Sequence, residues 1–232
     1  MMNRWIKSLI DLFYPQVCIY CGAPFVEGEE YLCSECVINL PRTGFHERPE
    51  NAIEQLFWGK VTVVRASSFL HFRKGGITQR IVHHLKYKGE KKLGVAMGKL
   101  MANEMRNSLF FDGIDLIVPV PLHKNRLKSR GYNQAEQIAV GISEITGIPV
   151  CGDNLYRSIE NDSQTSRNVF NRWLNVRHAF LLNDASFFAG KHILLIDDVL
   201  TSGSTLVACI EAIERNVFCT VSVLTLGGTQ KM

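Results

Sequence analysis

Ile193-Leu194-Leu195-Ile196-Asp197-Asp198-Val199-Leu200-Thr201-Ser202-Gly203-Ser204-Thr205 is the stretch on which the reading of this chain turns. Four apolar residues run into two carboxylates and then into a small, hydroxyl-rich turn. Beyond it Leu206, Cys209, Ile210 and Ile213 recur at helical spacing. The expectation is a buried parallel strand, a loop at its carboxyl end, and a helix N-terminus. In open α/β sheets ligands bind at the carboxyl ends of the strands. A helix N-terminus adds unpaired N–H groups and the positive end of a dipole. Thr201, Ser202, Ser204 and Thr205 add hydroxyl donors, and Gly203 lets the backbone close around an anion. Asp197 and Asp198 cannot hold a phosphate, but they suit sugar hydroxyls or a divalent metal. The spacing therefore fits a ribose 5-phosphate. The plainer reading is a strand, turn and helix whose acid pair is a solvated cap.

The same stretch resembles the phosphoribosyl pyrophosphate signature of type I phosphoribosyltransferases. Acid pair, hydroxyl residues, glycine and final threonine all match it. A Walker loop is excluded, because no Gly-Lys-Ser/Thr follows the glycine.

Outward from this stretch, strands and helices alternate, which implies a mostly parallel sheet. Residues 61–72, 112–120 and 217–226 read as strands, with a shorter run at Val150. Ile77, Ile81 and Leu85 mark one helix, ending near Gly89. Leu93, Met97, Met101 and Met105 mark a second. Ala135, Ile138, Ile142 and Ile145 mark a third, ending at Gly147. Pro119-Val120-Pro121-Leu122 closes the strand at 112–120. If that strand neighbours 193–196, its loop faces the same crevice, with Lys124, Arg126 and Arg130 close behind for a pyrophosphate. A structural turn with surface lysines is the alternative.

The 232 residues hold an ordinary α/β domain plus a small appendage, and an apolar share of 46% supports a real core. The net charge of +4 is modest, but its distribution is uneven. Residues 71–92 carry seven Lys or Arg against one acid, Glu90. Such a cluster favours phosphate-bearing partners, although a solvated face is the usual fate of surface lysines. Lys86, Lys88, Lys91 and Lys92 are the candidates for contact with single-stranded nucleic acid. Phe72, Tyr87 and Tyr132 are aromatic neighbours able to stack on bases, or else core residues. No segment reaches the roughly 18 apolar residues of a membrane span. Residues 1–14 are expected to form an amphipathic helix that packs on the body of the protein.

Seven cysteines are present. Cys18, Cys21, Cys33 and Cys36 form C-x2-C, an eleven-residue gap, and C-x2-C again. Two tight turns bearing two thiolates each complete a four-sulfur shell, which suits a closed, structural zinc. Two disulfides are the alternative and would need an oxidising compartment, of which the chain carries no sign. Residues 1–50 are read as a helix and zinc module, and residues 51–232 as the main domain. The two are expected to have separate cores.

Four segments together resemble the ComF family, also called the GntX-like or competence-protein family. They are the four-cysteine front; His84-Leu85-Lys86-Tyr87-Lys88-Gly89; Pro119 to Leu122 running through Arg126 to Arg130-Gly131-Tyr132-Asn133-Gln134-Ala135; and Arg157 through Gln164-Thr165, Arg172, Asn175-Val176 and Phe180 to the signature. The resemblance implies a type I phosphoribosyltransferase-like fold, a mostly parallel sheet flanked by helices, behind a zinc-binding module. It implies a bacterial cytoplasmic protein of DNA uptake in natural transformation, binding phosphoribosyl pyrophosphate with magnesium. Single-stranded DNA and other uptake proteins such as a helicase are the expected partners. Residues 161–177, polar and arginine-bearing, occupy the place of the mobile loop of amidophosphoribosyltransferases. An active transferase acting on an unknown nitrogen acceptor is the alternative function.

Overall fold

The computed structural model describes residues 16–157 and 179–229. The expected amphipathic helix at 1–14 and the expected lid at 161–177 lie outside the described residues.

The centre of the protein is a four-stranded sheet in the order β1, β6, β5, β2, with every pair parallel. The strands are β1 (Ala66–His71), β2 (Leu116–Pro119), β5 (His192–Leu200) and β6 (Thr220–Gly228). Val150 extends the sheet beyond β2 through one parallel bridge to Ile117. β3 (Leu155–Arg157) and β4 (Phe180–Leu182) form a separate antiparallel pair. Six helices are described: α1 (Ser34–Ile38), α2 (Ile77–Tyr87), α3 (Lys91–Met105), α4 (Lys124–Arg130), α5 (Gln134–Thr146) and α6 (Ser204–Glu214).

β5 explains why its sequence is apolar without alternation. Leu194 and Ile196 enter the core shared with α2, α3 and α5, while Ile193 and Leu195 enter the core under α6. A strand covered on both faces has no solvent side to mark with polar residues. It runs further than expected. Asp197 and Asp198 lie on the strand itself, paired with β6 at Asp197↔Thr225, and the loop begins only after Leu200. The backbone ladder continues through the acids because β6 offers partners as far as Gly228.

α3 and α5 pack at a distance only glycine permits. A Cβ on Gly98 would sit 2.1 Å from the Ile138 carbonyl oxygen, and one on Gly141 would sit 2.1 Å from that of Val95. The methionine row of α3 fills the space beside this contact, with Met97, Met101 and Met105 all buried. The segment from Lys124 to Arg130, to which the sequence reading gives no element, is the short helix α4, ended by Gly131 at φ 77°.

The cysteine-bearing front does not have a core of its own. Cys18, Leu32, Cys33, Cys36 and Leu40 belong to the same apolar cluster as Phe69, Ile77, Ile81 and Leu85. The chain after α1 also covers the free edge of β1: the Thr43 N–H donates to the Phe69 carbonyl (3.0 Å) and the His71 N–H to that of Pro41 (2.8 Å). Arg42 pairs with Glu104 of α3 at 2.5 Å, and the Arg80 guanidinium donates to the Ile19 carbonyl at 2.9 Å. The expectation of separate cores is thereby corrected. A module this small cannot bury enough apolar surface alone, so it borrows the face of α2 and the edge of β1.

Cys33→Ser is therefore expected to lower the stability of the whole chain. An unpaired hydroxyl in that core costs about 1–3 kcal/mol before any loss of metal. Denaturation followed by both far-ultraviolet dichroism and tryptophan fluorescence should shift as one transition. Two transitions, with the sheet melting at the wild-type midpoint, would show that the front unfolds alone.

Candidate functional site

The β2–β5 pairing builds the crevice. Its register, Val118↔Leu195 and Pro119↔Ile196, ends β2 beside the middle of β5, which carries Asp197 and Asp198 on past that end to Leu200. The loop after β2 and the turn after β5 thus meet over one cavity of about 370 Å³. Val120, Pro121, Leu122, Arg126 and Arg130 line it from one side, and Asp197, Asp198, Thr201 and Thr205 from the other. Larger cavities lie elsewhere, the largest described being about 640 Å³ beside Arg65, just before β1. That one is lined by the segments that lead into β1 and β2, with the 3-10 turn Phe45–Glu47 and the Ser108 cap of another among them. The chemistry, not the volume, selects the crevice.

Each side is held in place by the local sequence. The Val120 N–H donates to the Ile196 carbonyl at 2.8 Å, and the Asn133 amide donates to the Val120 carbonyl at 3.0 Å. Asn133 also caps α5 by accepting from the Ala135 N–H at 3.1 Å. The loop Pro119 to Leu122 is thus strung between β5 and the start of α5. On the other side Gly203, at φ 77°, is the residue from which α6 starts. An L side chain in that conformation costs about 1–2 kcal/mol. Gly203 has no side chain to cap α6, and Ser202 Oγ reaches the first N–H of this eleven-residue helix, that of Ser204, at 3.5 Å, so the helix starts on the turn that carries Ser202, Ser204 and Thr205. Ser202 and Ser204 hydroxyls lie 2.9 Å apart. Lys124 and Lys128 are exposed on α4.

The acids are distinct. The Asp198 N–H donates to Asp197 Oδ1 at 2.8 Å, and Asp198 Oδ2 meets the Lys86 ammonium at 3.0 Å. Burial, and next the charge of Asp198, raise Asp197 to about 7; the Asp198 N–H and Lys86 pull the other way.

The structure regroups the basic residues. Lys86, read from sequence with Lys88, Lys91 and Lys92 as one strip, lines the crevice, whereas the other three are exposed. Arg157, at the end of β3, also lines the crevice. Tyr132 is removed from the list of stacking aromatics: it is buried, and its hydroxyl donates to the Leu85 carbonyl. Phe72 is packed against the core and lines the crevice wall. Tyr87 stays open to solvent, with the Arg130 guanidinium 5.8 Å from its ring centre.

The four front cysteines converge. Their sulfurs all lie within 4.8 Å of one another, and Cys21 Sγ is 3.6 Å from Cys33 Sγ. A tetrahedral zinc with bonds of about 2.3 Å separates its sulfurs by roughly 3.8 Å. None of the seven thiols is in a disulfide. Gly22, at φ 76°, turns the first pair, with its N–H bonded to the Cys18 carbonyl at 3.0 Å. Cys33 and Cys36 sit at the start of α1. Burial raises the Cys18 thiol, but backbone N–H groups of Cys21, Cys33 and Tyr20 outweigh it and bring it to about 6. Burial and then the neighbouring sulfurs push Cys36 up. A divalent cation among the four relieves this conflict of charge, so the residues fit zinc.

Residues 89–226, more than half of the 232, match the phosphoribosyl transferase domain. The chain belongs to that family. Residues 9–46 match the double zinc ribbon domain and contain the four clustered cysteines, a ligand set for one ion. Among its relatives is the DNA utilization protein YhgH of Escherichia coli O157:H7, 25% identical over 93% of this chain and 98% of that protein. Competence protein F of Haemophilus influenzae is 24% identical over 84% of this chain and 89% of its own. Competence protein ComFC of Bacillus subtilis is 30% identical over 48% and 43%. The resemblance to the competence-protein family, read from four separate segments, therefore holds along nearly the whole chain. Among the described residues no helix is long and apolar enough to cross a membrane.

The raised pKa of Asp197 has a consequence for stability. Between about pH 4 and pH 7 the folded chain keeps a proton that the unfolded chain, with its carboxyl near 3.8, has released. The stability this gives is complete below about pH 4 and is lost as pH rises through about 7. Wild type should therefore lose stability relative to Asp197→Asn across that window, and the difference should level off above it. Urea denaturation at several pH values measures this; a difference constant from pH 4 to 7 would contradict it.

Proposed function

We propose that the protein binds phosphoribosyl pyrophosphate in the crevice and single-stranded DNA on the adjoining basic surface. On this reading it works in the cytoplasm in DNA uptake during natural transformation, beside partners such as a helicase. One observation carries the reading: an acid pair, a helix N-terminus and several cations share one cavity. Residues 201–205 would take the 5-phosphate, Asp197 and Asp198 the ribose hydroxyls, and Arg126, Arg130 and the loop from Pro119 to Leu122 the pyrophosphate. The acids would also hold magnesium, which when bound supplies positive charge to the pyrophosphate. The cysteine cluster would hold a structural zinc, since four protein sulfurs leave no open position. Relatives named for DNA utilization and competence, aligned over most of the chain, support the cellular role.

Calorimetry with phosphoribosyl pyrophosphate and magnesium tests the crevice. Asp198→Ala and Gly203→Val are each expected to weaken binding at least about tenfold, through a lost polar contact in one case and a strained loop in the other. Equal affinity in wild type and both variants would refute the site.

The alternative is an active phosphoribosyltransferase, favoured by the domain family itself. Pyrophosphate released in the presence of a nucleobase panel would put that reading first.

Lys88, Lys91 and Lys92 are exposed and follow the crevice residue Lys86 in sequence, and Tyr87 beside them offers an open ring. With three phosphates neutralised, log affinity for single-stranded DNA should fall with log salt at a slope of about −2. Lys88→Glu with Lys91→Glu should flatten the slope by at least about 1.4 and weaken all sequences alike. A wild-type protein that fails to shift labelled single-stranded DNA at low salt would end the DNA-binding reading.

A further inference from the structure

Lys86 belongs to the crevice by geometry, yet it comes from α2, ahead of the segment 89–226 that matches the phosphoribosyl transferase domain. Its ammonium lies 3.0 Å from Asp198 Oδ2, and both side chains are largely covered. Most surface lysines hold no fixed position, because their long stems lose entropy when ordered. This one is set by its backbone. The Leu85 carbonyl, one residue before it, accepts the hydroxyl of buried Tyr132, which follows α4 directly. The last turn of α2 is thus fastened to the chain that carries Arg126 and Arg130.

The charge balance of the cavity gives Lys86 more than one partner. Among the described residues, Lys86, Arg126, Arg130 and Arg157 line it against two carboxylates, Asp197 and Asp198. Arg130 is already engaged with Gln134 at 2.8 Å. The acids repel each other across adjacent positions, and among the described residues Lys86 is the cation paired directly with Asp198. A ligand carrying a pyrophosphate brings a strong anion into the same cavity, while its ribose hydroxyls need the Asp198 carboxylate.

We infer that Lys86 is a ligand-contacting residue: it holds Asp198 when the crevice is open and transfers its ammonium to the pyrophosphate of an incoming ligand. The inference rests on the reading of the crevice as a phosphoribosyl site. It separates Lys86 from the exposed lysines that follow it. It also gives the cavity a means of distinguishing phosphoribosyl pyrophosphate from ribose 5-phosphate. Only the first offers the anion that draws Lys86 away, and the second leaves the ion pair with Asp198 in place.

Calorimetric titration of the full chain with two probes tests it: phosphoribosyl pyrophosphate with magnesium, and ribose 5-phosphate with magnesium. Lys86→Met should weaken the first at least about tenfold, the size of one charge-assisted hydrogen bond, and the second by less than about threefold. Lys86→Arg should recover much of the loss. Lys99→Met, which removes a lysine paired with Glu144 on the outer face of α3, should leave both affinities within about twofold of wild type. Dichroism checks that each variant folds, and Lys86→Gln replaces Lys86→Met if the latter does not. An equal loss for both probes would overturn the transfer to pyrophosphate. Unchanged affinity for phosphoribosyl pyrophosphate in a folded Lys86 variant would overturn the role of Lys86 alone. A wild type that binds neither probe would overturn the phosphoribosyl reading and this role with it.

Discussion

The parallel pairing of β2 with β5 is the constraint on which the site depends. Its register puts Pro119 beside Ile196, so the loop after β2 opens level with the acid pair of β5, more than 70 residues away in sequence. Had the strands paired one residue out of register, alternate side chains would have exchanged faces, and the acids would have turned into a different layer. Burial on both sides of β5 fixes that register, because Leu194 and Ile196 fill one core while Ile193 and Leu195 fill the other. The site therefore inherits its accuracy from the core beneath it.

The crevice is assembled from opposed charges rather than from one sign. Arginines and a helix N-terminus face an acid pair, and Lys86 bridges the two sets. In a cavity partly removed from water such charges interact more strongly than on the surface. The cost is borne by Asp197, whose carboxyl is raised to about 7 by burial and by its neighbour. Groups shifted in this way gather where a ligand supplies the missing charges.

The cysteine front is joined to the main sheet by shared packing, not by a flexible tether. Its backbone pairs with the edge of β1, and its apolar residues fill the face of α2. α2 in turn carries Lys86 into the crevice at its far end. The cysteine cluster and the crevice thus grip the same helix. This arrangement gives the zinc module a structural reason to be present in a phosphoribosyl transferase-like protein.

The sequence by itself determined the elements and the two chemical motifs. The unbroken apolar run of β5, the helical spacing of the methionines in α3 and the C-x2-C pairs are local signals, so they were legible without any tertiary contact. The acid pair and the glycine turn were legible for the same reason. Only the folded chain decided what depends on distant contacts. Lys86 looks like its neighbours in sequence and differs from them because its place on α2 directs it to Asp198. Tyr132 reads as a stacking aromatic or a core residue until its buried ring and its hydroxyl on the Leu85 carbonyl place it in the core. The glycines at 98 and 141 carry no signal of their own, since their need arises only where two helices meet. The shared core of the cysteine module was likewise invisible, because spacing names the ligands of a metal but not the surface on which they rest.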